Sequence, residues 1–199
     1  MQLKDIVKIT IFSVIGFILM MIGGALSSVS GVYMAYMQNA VGSLLTAPVY
    51  FVMCRKVRKR GTSLLYYLIN GIVYTIMGFW PMILILLAAG IVSELIIGKK
   101  ENYDDNRRLA PAFIAGEMIH ALHGVIFILV LGVNGIVAQF PEMFTQEAAQ
   151  QMYDMMANAK GITLIIVFQL IFSVLGVFFG RYIYNKFFAK NSSNKGILN

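Results

Sequence analysis

Residues 62–98 decide the fold, and they read TSLLYYLINGIVYTIMGFWPMILILLAAGIVSELIIG. This apolar stretch is roughly 37 residues long, whereas one helix needs only about 20 residues to cross a bilayer. Near its middle stands Gly78-Phe79-Trp80-Pro81. Proline is favourable in the first turn of a helix, and tryptophan is enriched at membrane interfaces. The stretch therefore predicts two helices, 62–78 and 81–98, joined by a tight turn.

The rest of the chain has the same apolar character. Hydrophobic residues make up 59% of the sequence and charged residues 13%, with a mean hydropathy of +0.76, whereas soluble domains are about 45–50% apolar. In the hydrocarbon core an apolar run must be helical, because only a helix satisfies its own backbone groups. We therefore predict an all-α integral membrane protein, with about six transmembrane helices in one bundle over 1–188 and a disordered tail at 189–199. The predicted spans are 7–29, 31–54, 62–78, 81–98, 109–137 and 162–184.

The basic residues predict the orientation of the bundle. If the N-terminus is cytoplasmic, fifteen of the sixteen Lys and Arg residues lie inside, within 4–8, 55–60, 99–108 and 181–195, and only Lys160 lies outside. This is the positive-inside distribution. Both termini are therefore expected in the cytoplasm, and the protein in the cell (cytoplasmic) membrane as a multi-pass protein. The net charge of +7 is assigned to orientation, so no nucleic-acid partner is expected.

An ionisable residue inside a membrane span is a candidate for function. Glu117, His120 and His123 fall well inside the fifth span, with Glu117 and His120 on one helical face. This group could bind a polar solute, supply an axial ligand to a tetrapyrrole, or carry protons. Alternatively, Glu117 and His120 bond each other and a neighbouring helix and only fix the packing. Glu94, near the polar loop, is interpreted as an interfacial acid that pairs with a loop cation.

Other polar side chains in the spans are further candidates for a binding site. Each of these side chains could instead form an ordinary hydrogen bond between helices. They are Gln38, Asn39, Asn70, Tyr74, Trp80, Asn134 and Gln169.

The segment 139–159 is too polar to be a span. Its apolar residues recur at roughly helical spacing, which predicts a short amphipathic helix at the outer surface. Met143, Met152, Met155 and Met156 could form an adaptable lid over an apolar solute. Elsewhere, Gly176 and Gly180 predict close helix packing, either within the bundle or against a partner.

The sequence lacks the motifs of several metal-binding, catalytic and nucleotide-binding sites. Glu117-x-x-His120 resembles half of a carboxylate-bridged metal site, but the sequence has no second copy, so we expect no metal and no other cofactor. The sequence has neither a Gly-x-Ser-x-Gly nor a His-Glu-x-x-His motif, which favours a protein that is not an enzyme. It also has no Gly-x-x-x-x-Gly-Lys loop, so any ATP hydrolysis must belong to a partner.

The chain resembles the substrate-binding S components of energy-coupling factor (ECF) transporters, and within them the MptD-like, Trep_Strep group. The resemblance extends over roughly residues 3–188 and rests on Leu3-Lys4-Asp5-Ile6, Met21-Ile22-Gly23-Gly24, Pro48 with the basic run 55–60, and Gly78-Phe79-Trp80-Pro81. It implies a six-helix subunit that binds a micronutrient near its outer face and docks onto a transmembrane coupling subunit driven by two cytoplasmic ATPases. S components commonly dock through Ala-x-x-x-Ala in the first span, where this chain has Thr10, Ser13 and Gly16.

The resemblance implies a vitamin-like micronutrient but carries over no substrate motif. The residues of this chain leave two solutes open: a vitamin or pterin-like ring stacking on Trp80 or tyrosines, and a tetrapyrrole such as haem with His120, His123 and the methionines. Two other functions stay open. One is a ligand-free membrane scaffold or regulatory subunit, in which Glu117 and His120 only lock helices together. The other is a proton-coupled carrier with Glu117 and His120 as its relay, although the chain has no internal repeat.

Overall fold

The computed structural model describes residues 1–189, apart from the side chains of Ser28, Ser30 and Val32. Regular structure in this part of the chain is entirely helical, which confirms the predicted fold class. The α-helices are α1 Leu3–Ser27, α2 Met34–Val57, α3 Thr62–Ile76, α4 Met82–Ile97, α5 Asn106–Ala121, α6 His123–Gln139, α7 Gln146–Met156 and α8 Ala159–Phe187. Two 3-10 turns, Ser28–Tyr33 and Lys100–Asp104, link α1 to α2 and α4 to α5. Of the tail predicted to be disordered, all but Ala189 lies outside the described residues.

Every predicted apolar span corresponds to helix in the structure. α1, α2, the segment Asn106–Gln139 and α8 are long and apolar enough to cross a membrane, whereas α3 and α4 are shorter, with 15 and 16 residues. The turn between α3 and α4 lies where it was predicted. Gly78 takes a φ of 96° there, and the Phe79 N–H donates to the Tyr74 carbonyl at 2.9 Å. A positive φ is readily available to glycine because it has no Cβ.

The fifth predicted span lies within the helical segment Asn106–Gln139, which has a break that the sequence did not indicate. It divides into α5 and α6 at Leu122, where the imidazole Nδ1 of His123 bonds the backbone carbonyl of His120 at 2.7 Å. Side chains that take backbone carbonyls compete with the regular helical ladder. Further along, Gly132 has a φ of 64° and interrupts α6.

The small residues of α1, α2 and α8 pack against one another inside the bundle. A Cβ on Gly23 would lie 2.4 Å from the Cα of Gly42, and a Cβ on Gly180 would lie 3.0 Å from the Ala47 carbonyl oxygen. The Gly176 and Gly180 pair therefore serves internal packing of α8 on α2. Ser13 is likewise buried, so it gives no docking surface on α1.

The basic segments gather at one end of the bundle. Arg58 forms an ion pair with Asp104 at 2.9 Å, and Arg55 hydrogen-bonds Asn106 while its guanidinium lies 4.3 Å from the ring centroid of Tyr184. The ends of α2 and α8 and the start of α5 thus meet there. α7 lies at the opposite end, where the Tyr36 hydroxyl donates to the Met155 carbonyl at 3.2 Å.

Two buried apolar clusters lie between these ends. The larger includes the aromatic residues Tyr50, Phe51, Tyr66, Tyr67 and Phe113 from α2, α3 and α5. The smaller is formed mainly by α6, α7 and α8, with Phe140 and Met156 among its residues. Side chains of both clusters line a cavity on the α7 side of the bundle.

Candidate functional site

The cavity has a volume of about 360 Å³ and is bounded by α1, α2, the turn between α3 and α4, α6 and α7. Methionine and phenylalanine form most of its wall. The methionines are Met20, Met21, Met77, Met82, Met152 and Met156. The phenylalanines are Phe79, Phe127, Phe140 and Phe144. A concave apolar site with a few polar groups is the usual form of a small-molecule site.

Four polar residues line the cavity: Gln38, Asn39, Tyr74 and His123. Among the described residues, no Asp, Glu, Lys or Arg contributes to its wall. Gln38, Asn39 and His123 also line a small side pocket of about 20 Å³, room for about one water molecule. Three of the four polar residues of the site are therefore gathered on one side.

The protonation of His123 follows from its hydrogen bond. Its Nδ1 lies 2.7 Å from the backbone carbonyl of His120, and a carbonyl oxygen can only accept. Nδ1 must therefore carry the proton, and in the neutral imidazole Nε2 is a hydrogen-bond acceptor. This hydrogen bond lies at the break between α5 and α6.

The amide of Asn39 is oriented by the same kind of argument. Its Nδ2 donates to Oε1 of Gln169 at 3.0 Å and to the backbone carbonyl of Glu117 at 3.5 Å. Because a backbone carbonyl cannot donate, the amide nitrogen must face α5, and the oxygen is left for the cavity.

Gln169 itself belongs to the packing of α8. Its Nε2 donates to Ser43 at 3.0 Å and to Ser173 at 2.7 Å, so its amide is fully used between helices. In the structure Gln169 therefore forms interhelical hydrogen bonds, the alternative to a solute contact that the sequence left open.

Glu117 and His120 lie together beneath the cavity and do not line it. The His120 Nδ1 is 3.6 Å from the Glu117 Oε2, and Tyr67 donates to the other carboxylate oxygen at 3.2 Å. The Glu117 Oε2 and the His120 Nε2 are buried and have no hydrogen bond. Both residues line a space of about 10 Å³ together with Asn70.

Tyr74 connects the two levels of the site. Its side chain lines the cavity and also the small space that contains Glu117 and His120, and its ring packs edge-on against His120 with centroids 5.9 Å apart. Met20 likewise contributes to both spaces. These two side chains separate the solute-sized cavity from the buried acid.

The other predicted candidates lie apart from the cavity. Trp80 is 47% exposed and is not among the lining residues, whereas its neighbour Phe79 is. Asn134 accepts a hydrogen bond from Gln146 at 2.9 Å, which ties α6 to α7. Asn70 donates to the Tyr66 carbonyl at 2.9 Å within α3.

Glu94 corrects a prediction. It accepts hydrogen bonds from the Gly61 N–H at 2.7 Å and from the Tyr103 hydroxyl at 2.6 Å, and neither partner is a cation. The interpretation of Glu94 as paired with a loop cation is therefore wrong. The acid instead links the start of α3 to the 3-10 turn that follows α4.

α7 lies within the segment 139–159, where a short amphipathic helix was predicted, and it forms part of the cavity wall. Met152 and Met156 line the cavity, Met155 packs within the smaller cluster, and Met143 is 51% exposed. Two of the four methionines predicted as a lid thus face the cavity. α7 begins at an N-cap, Thr145, whose hydroxyl accepts from the Ala148 N–H at 3.2 Å.

Several lining residues were not singled out from the sequence. Phe79, Phe127 and Met20 lie in stretches that are apolar on every side, so periodicity does not separate inward from outward faces. Phe140 lies at the start of the polar segment 139–159. Among these residues, only Phe79 could have been identified from the sequence, because it stands within the predicted turn Gly78-Phe79-Trp80-Pro81. Within the described residues, no group of three or more His, Cys, Asp or Glu side chains is placed to hold a metal ion.

Comparison with protein families gives one match over residues 3–190, a family described as hypothetical bacterial integral membrane proteins, Trep_Strep. Comparisons with curated proteins and with solved structures give no significant match. The match extends over nearly the whole chain and agrees with its long apolar helices. The chain therefore belongs to the Trep_Strep family of bacterial integral membrane proteins.

Proposed function

We propose that this chain is the solute-capturing subunit of an importer in the bacterial cytoplasmic membrane, an S component of the ECF type. In this role it binds a micronutrient, vitamin-like or a tetrapyrrole such as haem, and delivers it through a transmembrane coupling subunit driven by two cytoplasmic ATPases. The observation that carries the proposal is the cavity of about 360 Å³ beneath α7, at the end of the bundle opposite the basic segments.

The position and size of the cavity support solute capture. Binding sites for small molecules are typically about 300–1,000 Å³ and mainly apolar. With the basic segments placed in the cytoplasm by the positive-inside rule, α7 and the cavity face the outer side. The sequence has no nucleotide-binding loop, so any ATP hydrolysis that drives transport must belong to other subunits.

The exposed surface of the bundle is apolar, as expected for a protein that is embedded in lipid. Large apolar side chains are exposed along α1 and α8. On α1 they include Ile11, Ile15, Ile18 and Ile22, and on α8 Val167, Leu170, Ile171, Leu175 and Phe178. A lipid-facing surface and a partner-facing surface are both apolar, so a membrane coupling subunit can dock on part of it.

The buried pair Glu117 and His120 is the observation that favours a proton-coupled carrier as a second candidate. In such a carrier the acid would take up and release protons during transport. The pair lies below the solute-sized cavity, however, and is separated from it by Tyr74 and Met20. A scaffold without a ligand, in turn, would have no use for the cavity.

A first experiment tests solute capture with a matched pair of variants. Gly24 lines the cavity and a side chain there would meet nothing within 4 Å, whereas its neighbour Ala25 is exposed. Purified wild-type, Gly24→Leu and Ala25→Leu proteins are incubated with a bacterial metabolite extract, washed, and their retained compounds identified by mass spectrometry. We expect a compound retained by the wild type and by Ala25→Leu and lost from Gly24→Leu. Equal retention by both variants would argue against the cavity.

A second experiment tests the partners. The tagged protein is cross-linked in native membranes, purified, and its associated proteins are identified. We expect one polytopic membrane subunit and two ATPases, and uptake of the retained compound that stops when the ATPases lose their nucleotide-binding lysines. Uptake that persists without any ATPase would instead favour the proton-coupled carrier.

A further inference from the structure

The absence of charged side chains from the cavity wall limits the solute. In the described part of the chain its polar groups are Gln38, Asn39, Tyr74 and His123, none of which is an acid, a lysine or an arginine. A carboxylate or phosphate moved into such a site would lose its hydration without gaining a counter-charge, which is strongly unfavourable. An uncharged solute avoids this unfavourable loss of hydration.

Two of the four polar residues, His123 and Asn39, present hydrogen-bond acceptors to the cavity, whereas Gln38 and Tyr74 also carry donors. The proton of His123 is committed to the His120 carbonyl, so Nε2 can only accept from a solute. Asn39 commits its Nδ2 to Gln169 and to the Glu117 carbonyl, so it offers its oxygen. A solute that bonds both of these residues must bring an N–H or O–H donor of its own.

These two acceptors face the same small space. Asn39 and His123 both line the side pocket of about 20 Å³ that adjoins the cavity. The pocket is large enough for about one water molecule or one polar group. The donor end of a solute is therefore expected there, with the rest of the molecule in the main cavity.

The remaining wall is suited to rings. The ring centroid of Phe140 lies 5.3 Å from that of Phe79 and 6.3 Å from that of Phe127, where the two rings are stacked. Methionines complete the wall, and their flexible thioethers make favourable contacts with aromatic edges. Flat aromatic surface gains most from such surroundings.

From these observations we propose the solute class: an uncharged aromatic ring compound with an N–H or O–H donor at one end, received by the Nε2 of His123 and the Oδ1 of Asn39. This inference rests on the proposed function and narrows it. The carboxylates of haem have no counter-charge within the cavity, so haem falls outside the class.

Three matched probes test the class: 2-naphthol, 2-methoxynaphthalene and 2-naphthoate. They share one ring system and differ in having a donor, no donor, or a negative charge. Binding to the protein in nanodiscs is measured by fluorescence, with empty nanodiscs subtracted to remove partition into lipid. We expect 2-naphthol to bind about tenfold tighter than its methyl ether, as one lost hydrogen bond predicts. Naphthoate should bind more weakly still.

Two variants assign the recognition to His123. His123→Phe should abolish the preference for naphthol over its ether, whereas Trp80→Phe, outside the cavity wall, should retain it. The preference is a ratio within each variant, so a partial loss of folded protein does not change it. Tighter binding of naphthoate, equal binding of naphthol and its ether, or no saturable binding of any probe would overturn the solute class. The proposed function is judged separately, by co-purification with the coupling subunit and ATPases.

Discussion

The Nδ1 of His120 lies 3.6 Å from the Oε2 of Glu117, one turn apart on α5, and both side chains are at most 5% exposed. The carboxylate receives a second contact from the Tyr67 hydroxyl. Taking one partner from such a group leaves the others buried without a hydrogen bond. The pair therefore contributes to stability whether or not it has a second role.

Substitutions of Glu117 separate these roles. Glu117→Ala should lower the free energy of unfolding by roughly 1–3 kcal/mol, because it strands the Tyr67 hydroxyl. Glu117→Gln keeps an acceptor for Tyr67 and should lose less. Melting in detergent measures both. Uptake should survive Glu117→Gln if the chain is an ATPase-driven subunit, and its complete loss in a well-folded protein would favour the proton-coupled carrier.

Adjacent glycines on α1 should respond oppositely to alanine. A Cβ on Gly23 meets the Gly42 backbone at 2.4 Å, whereas a Cβ on Gly24 meets nothing within 4 Å. Gly23→Ala should therefore cost about 1–3 kcal/mol by overpacking. Gly24→Ala should be neutral or stabilise the protein by up to about 1 kcal/mol through helix propensity. Equal melting temperatures for the two variants would contradict the close contact of α1 with α2.

The contribution of the Tyr103–Glu94 hydrogen bond to the free energy of unfolding should fall at alkaline pH. Burial raises the pKa of Tyr103 well above its usual value of 10.0, and the hydrogen bond to Glu94 acts in the same direction. The folded protein thus keeps the proton where the unfolded chain releases it, so stability from this group is present below about pH 10 and is lost above it.

Unfolding of Tyr103→Phe provides the measurement. The variant should be less stable than the wild type by roughly 1.5–3 kcal/mol at neutral pH, and the difference should shrink above about pH 10. Tyr153→Phe, at a tyrosine 40% exposed, is the control. A difference that stays constant up to high pH would show that the Tyr103 proton is not responsible.

The orientation can be measured with introduced cysteines. Cys54 is buried, so the native thiol should give little background. In intact cells an impermeant maleimide should label Lys160→Cys directly, and Lys100→Cys only after permeabilisation, because the positive-inside rule places residue 100 in the cytoplasm. The reverse pattern would invert the proposed topology and place the cavity towards the cytoplasm.

The attachment of α7 can be tested at two neighbouring alanines. Ala149 is fully buried and Ala148 is exposed. Ala149→Asp puts an unpaired carboxylate into an apolar cluster, which should cost roughly 1–3 kcal/mol and detach α7. Limited proteolysis should then cleave the 140–160 region faster than in the wild type. Ala148→Asp should leave cleavage unchanged, and equal cleavage of both variants would refute the packing of α7.

The helical fold was largely predictable from the sequence. Long apolar runs permit only helices, and Gly78 with Pro81 correctly placed the turn between α3 and α4. The division at Leu122 was not predictable, because it depends on a bond from the His123 side chain to a backbone carbonyl. Nothing in the local composition requires that bond.

The site was predicted only in part. Of the predicted candidates, Asn39, Tyr74 and His123 line the cavity, whereas Glu117 and His120 lie one layer below it. A helix that is apolar on all sides has no sequence signal for its inward face, since both lipid and protein interior accept the same residues. Phe79 and Trp80 both lie in the turn between α3 and α4, where the sequence does not show which of the two rings faces the cavity.

The short helices α3 and α4 also have a consequence for the surrounding lipid. With 15 and 16 residues they are about 22–24 Å long, less than the hydrocarbon thickness of about 30 Å. Ile76, Leu84 and Leu95 are exposed on this side, so acyl chains must meet it. The 29 residues of α8 extend over about 44 Å. Unequal hydrophobic heights around one protein thin the bilayer at one flank only, and such a lopsided mismatch favours tilt of the whole bundle.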